Sequence, residues 1–207
     1  MSYEPGLDHV LWLGGSACAG KTTVARRLAA LHGLAVYSCD EHFEDHRQRA
    51  SPERHPCFHR LMDQSPAELW ARPGPELARD LLLFYGDEFA MAAEDLRQIA
   101  GPVIAEGAGL LPVLVAELAG RGRAAWLIAT PGFRRERYPR RGPFVAELLG
   151  RCPDPEQAYA NWMARDDEVA AGLAAEAAAL GLPVVTVDER SVVEATAARV
   201  ARALGLG

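Results

Sequence analysis

The chain has 207 residues and a net charge of −6 at pH 7, with a pI near 5.5. An acidic surface is a poor default partner for nucleic-acid backbones, and no apolar run reaches the ~20 residues a helix needs to span a bilayer. The length suits one domain, burying roughly 70% of the surface of its unfolded chain.

The first residues, Met1 to Gly6, carry neither a basic stretch nor an apolar one. Cysteines 18, 39, 57 and 152 show no paired spacing. Both features lead us to expect a reduced cytoplasmic protein, a monomer or a homodimer.

His9 to Leu13 is a short apolar run ended by Gly14 and Gly15, as expected of a buried parallel strand. Next comes Gly15-Ser-Ala-Cys-Ala-Gly20-Lys21-Thr22, a full match to G-x-x-x-x-G-K-[ST]. Val24, Leu28 and Leu31 then recur at helical spacing, and Gly33 supplies the stop. Of 22 Lys and Arg residues, Lys21 is the single lysine. A phosphate loop requires a compact ammonium on a flexible stem, a role the planar arginine fork does not fill. Small residues at Ser16, Ala17, Cys18, Ala19 and Gly20 let backbone N–H groups turn inward on an anion. Thr22 and Thr23 open the helix whose positive end completes the nest.

Leu34 to Cys39 reads as the second strand, ending at Asp40, and a polar, histidine-rich segment runs on to Asp63. Ser65-Pro-Ala-Glu68 is a capping box. From about Pro75 to Ile99 an apolar stripe predicts a helix, with Gly86 as an interruption. Pro102 to Gly107 is the third strand, Leu110 to Leu118 a helix, and Ala124 to Ala129 the fourth strand. Asp154 caps a long helix ending near Gly181, Leu182 to Val187 is the fifth strand, and Ser191-Val-Val-Glu194 is a second capping box.

Alternating strands and helices predict an α/β/α sandwich on a five-stranded parallel sheet. The chain is expected to be one domain, 1–207, with a helical insertion over 41–100 and a lid over 131–150. Arg134, Arg135, Arg137, Arg140 and Arg141 crowd into that lid between Gly132 and Gly142. Such arginines suit triphosphate oxygens, and Arg137 and Arg141 are the candidates for transition-state charge.

This layout resembles the nucleotide and small-molecule kinase branch of the P-loop NTPases, which includes nucleoside monophosphate, shikimate and gluconate kinases, chloramphenicol phosphotransferase and zeta-toxin-like kinases. The resemblance implies a sheet order of 2-3-1-4-5, and ATP with Mg²⁺. It implies that Thr22 serves the metal. Asp40, at the carboxyl edge of the sheet, would receive the acceptor's proton, with Glu41 as fallback and Asp45 further out. Glu106 stands where monophosphate kinases carry the aspartate of Asp-Gly, which helps hold Mg²⁺ through water. Arg165 sits in Arg-Asp-Asp, close to the Arg-x-Asp-Asp element of adenylate kinases but lacking the spacer. The loop Asp188-Glu189-Arg190 occupies the adenine position.

The acceptor is a small molecule with a hydroxyl or phosphate. Histidines 42, 46, 55 and 59, with Cys39 and Cys57, have zinc-ligand chemistry but match no familiar finger. Acceptor contacts and a solvated loop are the other readings. Arg47, Arg49, Arg54 and Arg60 nearby suggest an anionic acceptor. A nucleotide switch or an inactive nucleotide-binding module is the alternative function. Asp-x-x-Gly is absent, and one asparagine with one lysine, 140 residues apart, cannot make Asn-Lys-x-Asp.

Overall fold

The computed structural model describes residues 6–119 and 122–206, so the reading of Met1 to Pro5 lies outside the described residues. Five strands form one parallel sheet: β1 (Val10–Gly15), β2 (Ala35–Ser38), β3 (Val103–Glu106), β4 (Ala124–Ala129) and β5 (Val184–Val187). Their order is β2-β3-β1-β4-β5. This is a P-loop kinase-type α/β fold.

β1 is buried along its whole length and alternates between the two faces of the sheet. Val10 and Trp12 pack with Trp126, Phe89 and Leu96; Leu11 and Leu13 pack with Val24, Leu28 and Val200. The second face is covered by α1 (Lys21–His32) and α10 (Val193–Ala203). The first is covered by α5 (Gly74–Leu96), α6 (Pro112–Ala119) and α9 (Pro155–Ala179). A strand apolar on both sides needs both layers.

The register brings Leu13, Glu106 and Ser38 into one row at the carboxyl edge, with Gly15 beside Leu127 on the other flank.

Some boundaries differ from expectation. The polar segment after β2 is helical, forming α2 (Cys39–Arg49) and α3 (Pro56–Met62), so Asp40 sits in the first turn of a helix. α5 runs unbroken through Gly86, because Leu77, Leu81 and Phe84 bury one stretch against α9 and α3 while Phe89 packs under the sheet against Trp12. The Ser65 capping box forms and opens α4 (Pro66–Trp70). The second does not. Val192 is the N-cap of α10, and the Ser191 hydroxyl instead donates to Asp188 Oδ1 at 2.8 Å, closing a turn.

Candidate functional site

Gly14 and Gly15 carry the chain out of the sheet through a space that admits no side chain. A Cβ on Gly14 would stand 2.2 Å from Trp126 Nε1, and one on Gly15 would stand 2.0 Å from the Leu127 carbonyl oxygen. Gly15 also has φ +130°, a region other residues rarely adopt. Ser16 N–H donates to Leu127 O, and Ser16 Oγ accepts from Ala129 N–H, both at 2.9 Å. Cys18 (φ 60°) and Gly20 (φ 80°) then turn the chain back into α1. Gly20 brings no side chain to that helix start, leaving first-turn N–H groups for an anion.

Lys21 arches over this loop, its Nζ donating to Ser16 O at 2.8 Å. Burial pushes the ammonium below its usual range, while Asp40 and Glu106 pull it back up. Thr22 Oγ1 donates to Glu106 Oε1 at 2.9 Å, and Ser38 Oγ donates to the same oxygen at 2.6 Å. Thr22 and a buried, hydroxyl-oriented carboxylate are hard oxygen donors and fit a magnesium ion.

These groups line one cavity of about 590 Å³. Its lining includes residues 15–24, Asp40, Glu106, Arg137, Arg140, Arg141 and Arg165, whereas Glu41, Asp45 and the loop Asp188-Glu189-Arg190 do not line it, Glu41 pairing instead with Arg26 at 2.6 Å. The sheet order sorts them. Asp40, Leu81, Tyr85 and Ala108 come from the β2–β3 flank; Phe133, Val187, Ser191 and Thr196 come from the β4–β5 flank.

The arginine-rich segment divides. It consists of α7 (Pro131–Arg137), a 3-10 turn (Tyr138–Arg141) and α8 (Phe144–Leu149). Arg134 is buried and paired with Asp167 at 2.6 Å, and Arg135 pairs with the same carboxylate, so neither reaches the cavity. Arg137 lies over the Phe133 ring at 4.7 Å, and Arg141 over Tyr138 and Phe144 at 5.5 and 5.7 Å. Tyr138 is buried; its hydroxyl donates to Asp166 and accepts from Trp162 Nε1 at 3.1 Å.

Arg165 lies 4.7 Å over Trp70 and is held by Asp166, with Nη2 and Nε 2.6 and 2.8 Å from Oδ1. The rings of Trp70 and Trp162 stack at 4.3 Å. The guanidinium therefore reaches the cavity on a fixed mount of aromatic rings and one carboxylate.

The histidine-rich segment is spent on structure. His42 stacks on Tyr37, His46 contacts Tyr37 and Asp95, His55 Nδ1 accepts from Ser51 N–H, and His59 contacts the Ala50 carbonyl. Among the described residues no group of three or more metal-ligating side chains forms. The nearby arginines pair with local carboxylates: Arg47 with Glu44, Arg49 with Asp95, Arg54 with Glu94, and Arg60 with Asp80. They give no support to an anionic acceptor.

Glu88 is the group that sequence reasoning missed. It is buried on α5, three residues from Tyr85, and its Oε1 lies 4.0 Å from His46 Nδ1. Burial and the negative charge of Asp40 push its carboxyl up to about 8. A carboxylate in register with Leu81 and Tyr85 on an apolar stripe was the available signal.

No protein-family model matches the chain, and no curated protein matches it. Among solved structures it is similar to a shikimate kinase from Aquifex aeolicus, at 17% identity over 95% of this chain and 96% of that one, with a TM-score of 0.46. A gluconokinase from Sinorhizobium meliloti is similar at 14% identity over 99% and 94%, with a TM-score of 0.47. The strand order and the loop geometry, rather than these likenesses, define the fold.

Proposed function

We propose that this chain is a Mg²⁺- and ATP-dependent phosphotransferase that moves the γ-phosphoryl group to a hydroxyl or phosphate of a small molecule. One observation carries the reading. A phosphate nest with its lysine, a threonine–carboxylate pair and the carboxylate of Asp40 all open onto a single cavity.

The loop N–H groups and Lys21 hold the triphosphate tail. Thr22 and Glu106 would hold a magnesium ion, which would supply neutralisation of phosphate charge. Asp40, on the acceptor flank, orients the acceptor and takes its proton as the new P–O bond forms and ADP departs. Positioning outweighs basicity in such transfers. Arg137, Arg141 and Arg165 face the charge on the transferring group, and the walls near Val187 and Thr196 receive the nucleoside. Segment 41–100 forms the acceptor side and 131–150 the cover. As proposed, the protein works in the cytoplasm as a monomer or homodimer.

Calorimetry with Mg²⁺ and a non-hydrolysable ATP analogue tests this. Lys21→Ala should lose at least about 100-fold in affinity. A thermal-shift screen of hydroxyl compounds with the same analogue then finds the acceptor. Unchanged affinity in the Lys21 variant removes the proposal; turnover of ATP with no acceptor dependence favours a switch.

A further inference from the structure

Two polar atoms face one another where α2 packs on α5, and the ring nitrogen of the pair is buried with no hydrogen-bond partner among the described residues. One is Glu88 Oε1; the other is His46 Nδ1, 4.0 Å away on a ring with no exposed surface. The other carboxylate oxygen abuts Gly109, 2.7 Å from where a Cβ would stand, so Glu88 is confined on that side also.

The proton inventory decides what the pair is. His46 Nε2 lies 3.0 Å from Asp95 Oδ2, which also accepts the Tyr37 hydroxyl proton at 2.8 Å. Asp95 is paired with Arg49 at 2.8 Å, so it is an acceptor. The ring proton therefore sits on Nε2, and Nδ1 presents a lone pair. Burial disfavours the imidazolium and keeps the ring neutral. A lone pair needs a donor, and protonated Glu88 is the one opposite it. Ionised, Glu88 would set acceptor against acceptor.

The charged and titratable groups around Glu88 favour the neutral acid. α2 brings Cys39, Asp40 and His46; β3 brings Glu106 beyond Cys39; α9 brings Arg165 and Asp166 beyond Tyr85. On its own helix, Tyr85 stands beside it, while Asp87 accepts from the Cys57 and Phe58 N–H groups. Of the two cations in this set, Arg165 is taken by Asp166, and Lys21, beyond Cys39 and beside Asp40 and Glu106, donates to Ser16 O.

We propose that Glu88 is a positioning residue of the transfer site, holding α2 through a proton shared with His46 Nδ1 and so placing Asp40 on the first turn of that helix. This rests on the role given to Asp40 above. A shift of roughly 1 Å brings the two atoms to hydrogen-bond distance. Deprotonation breaks the link, adds a second negative charge beside Asp40, and releases the helix.

The test titrates the carboxyl carbons of Glu88 and Asp40 and the ring nitrogens of His46 by NMR in the wild type, Glu88→Gln and Glu88→Ala. It also follows Mg·ATP turnover from pH 6 to 9.5 with the acceptor found by the screen. We expect Glu88 to titrate near pH 8, with His46 Nδ1 and the Asp40 resonance moving at the same midpoint. In wild type kcat should fall about tenfold per pH unit above that midpoint, while Glu88→Gln, whose amide N–H donates at every pH, stays flat. Glu88→Ala should be low throughout, with the KM for Mg·ATP within about twofold in all three. A midpoint in the ordinary carboxylate range, an Asp40 resonance indifferent to Glu88, or an alkaline limb surviving in Glu88→Gln overturns the proposal. The resonances decide the pairing without turnover, and failure of the kinase reading shows separately, as a Lys21→Ala protein that still binds Mg·ATP.

Discussion

Arg134 and Asp167 meet at 2.6 Å, with the guanidinium 1% exposed and the carboxylate 28%. That contact pins the base of the arginine-rich segment to α9, and Tyr138 repeats it one turn later through Asp166. The segment is therefore anchored as far as Tyr138, while Arg137, Arg140 and Arg141 line the cavity and Arg140 also pairs with Glu136 at 2.9 Å. Gly142, at φ 111°, takes a backbone conformation that other residues rarely adopt.

Removing the two partners should have unequal costs. Asp167→Ala strands a buried cation and should destabilise by about 3–5 kcal/mol, whereas Arg134→Met keeps the volume and should cost less. Chemical denaturation of the pair of variants reads the difference. Equal costs would mean that burial of the charge is not what makes this anchor matter.

Gly14→Ala and Gly15→Ala each place a methyl group inside van der Waals contact with β4, against Trp126 Nε1 and the Leu127 carbonyl. We expect each to cost about 1–3 kcal/mol or more, with Gly15→Ala the worse because of its positive φ. Mg·ATP affinity should fall with stability, since the same shift distorts the phosphate nest. A thermal melt and a binding isotherm on the same samples check both.

Asp40→Asn should separate binding from transfer. The side chain lines the cavity on the β2–β3 flank proposed for the acceptor, so affinity for Mg²⁺ with a non-hydrolysable ATP analogue should stay within about twofold of wild type. Acceptor phosphorylation should fall about 10²–10⁴-fold. Steady-state assays with the acceptor found by screening measure it, and wild-type turnover in the variant would remove Asp40 from the reaction.

Glu88 also makes stability depend on pH. Its carboxyl is near 8 when folded against 4.5 for the ordinary group, so the native state binds the proton more tightly than the unfolded chain. The contribution is fully present below about pH 4.5 and is lost as pH rises towards about 8. Urea unfolding across that range should show this falling component in wild type and lack it in Glu88→Gln.

Much of this was legible from local pattern. A parallel strand, a phosphate loop and a helix stop are written in residues close in sequence, and Gly33 ends α1 with φ 65° as its position implies. The row joining Ser38, Glu106 and Leu13 depends on strand register, which spacing does not encode. Arg134 and Arg137 look alike in the chain, yet one is buried in an ion pair and the other lines the cavity. Only the placement of Asp167, a residue of α9, beside Arg134 separates them. The helix over Cys39–Arg49 escaped notice because its apolar stripe is thin, with Cys39 and His46 as its buried residues. Glu88 escaped because a carboxylate on an apolar stripe reads as a break in the stripe.

Lys21 carries the sole ε-amine of the chain, and its surroundings favour loss of its proton relative to an exposed lysine. Acylating reagents would therefore find one side chain, inside the loop itself. Its modification adds one mass increment beyond that of the α-amino group, and protection by a bound nucleotide would turn occupancy of the cradle into a signal read by weighing the intact protein.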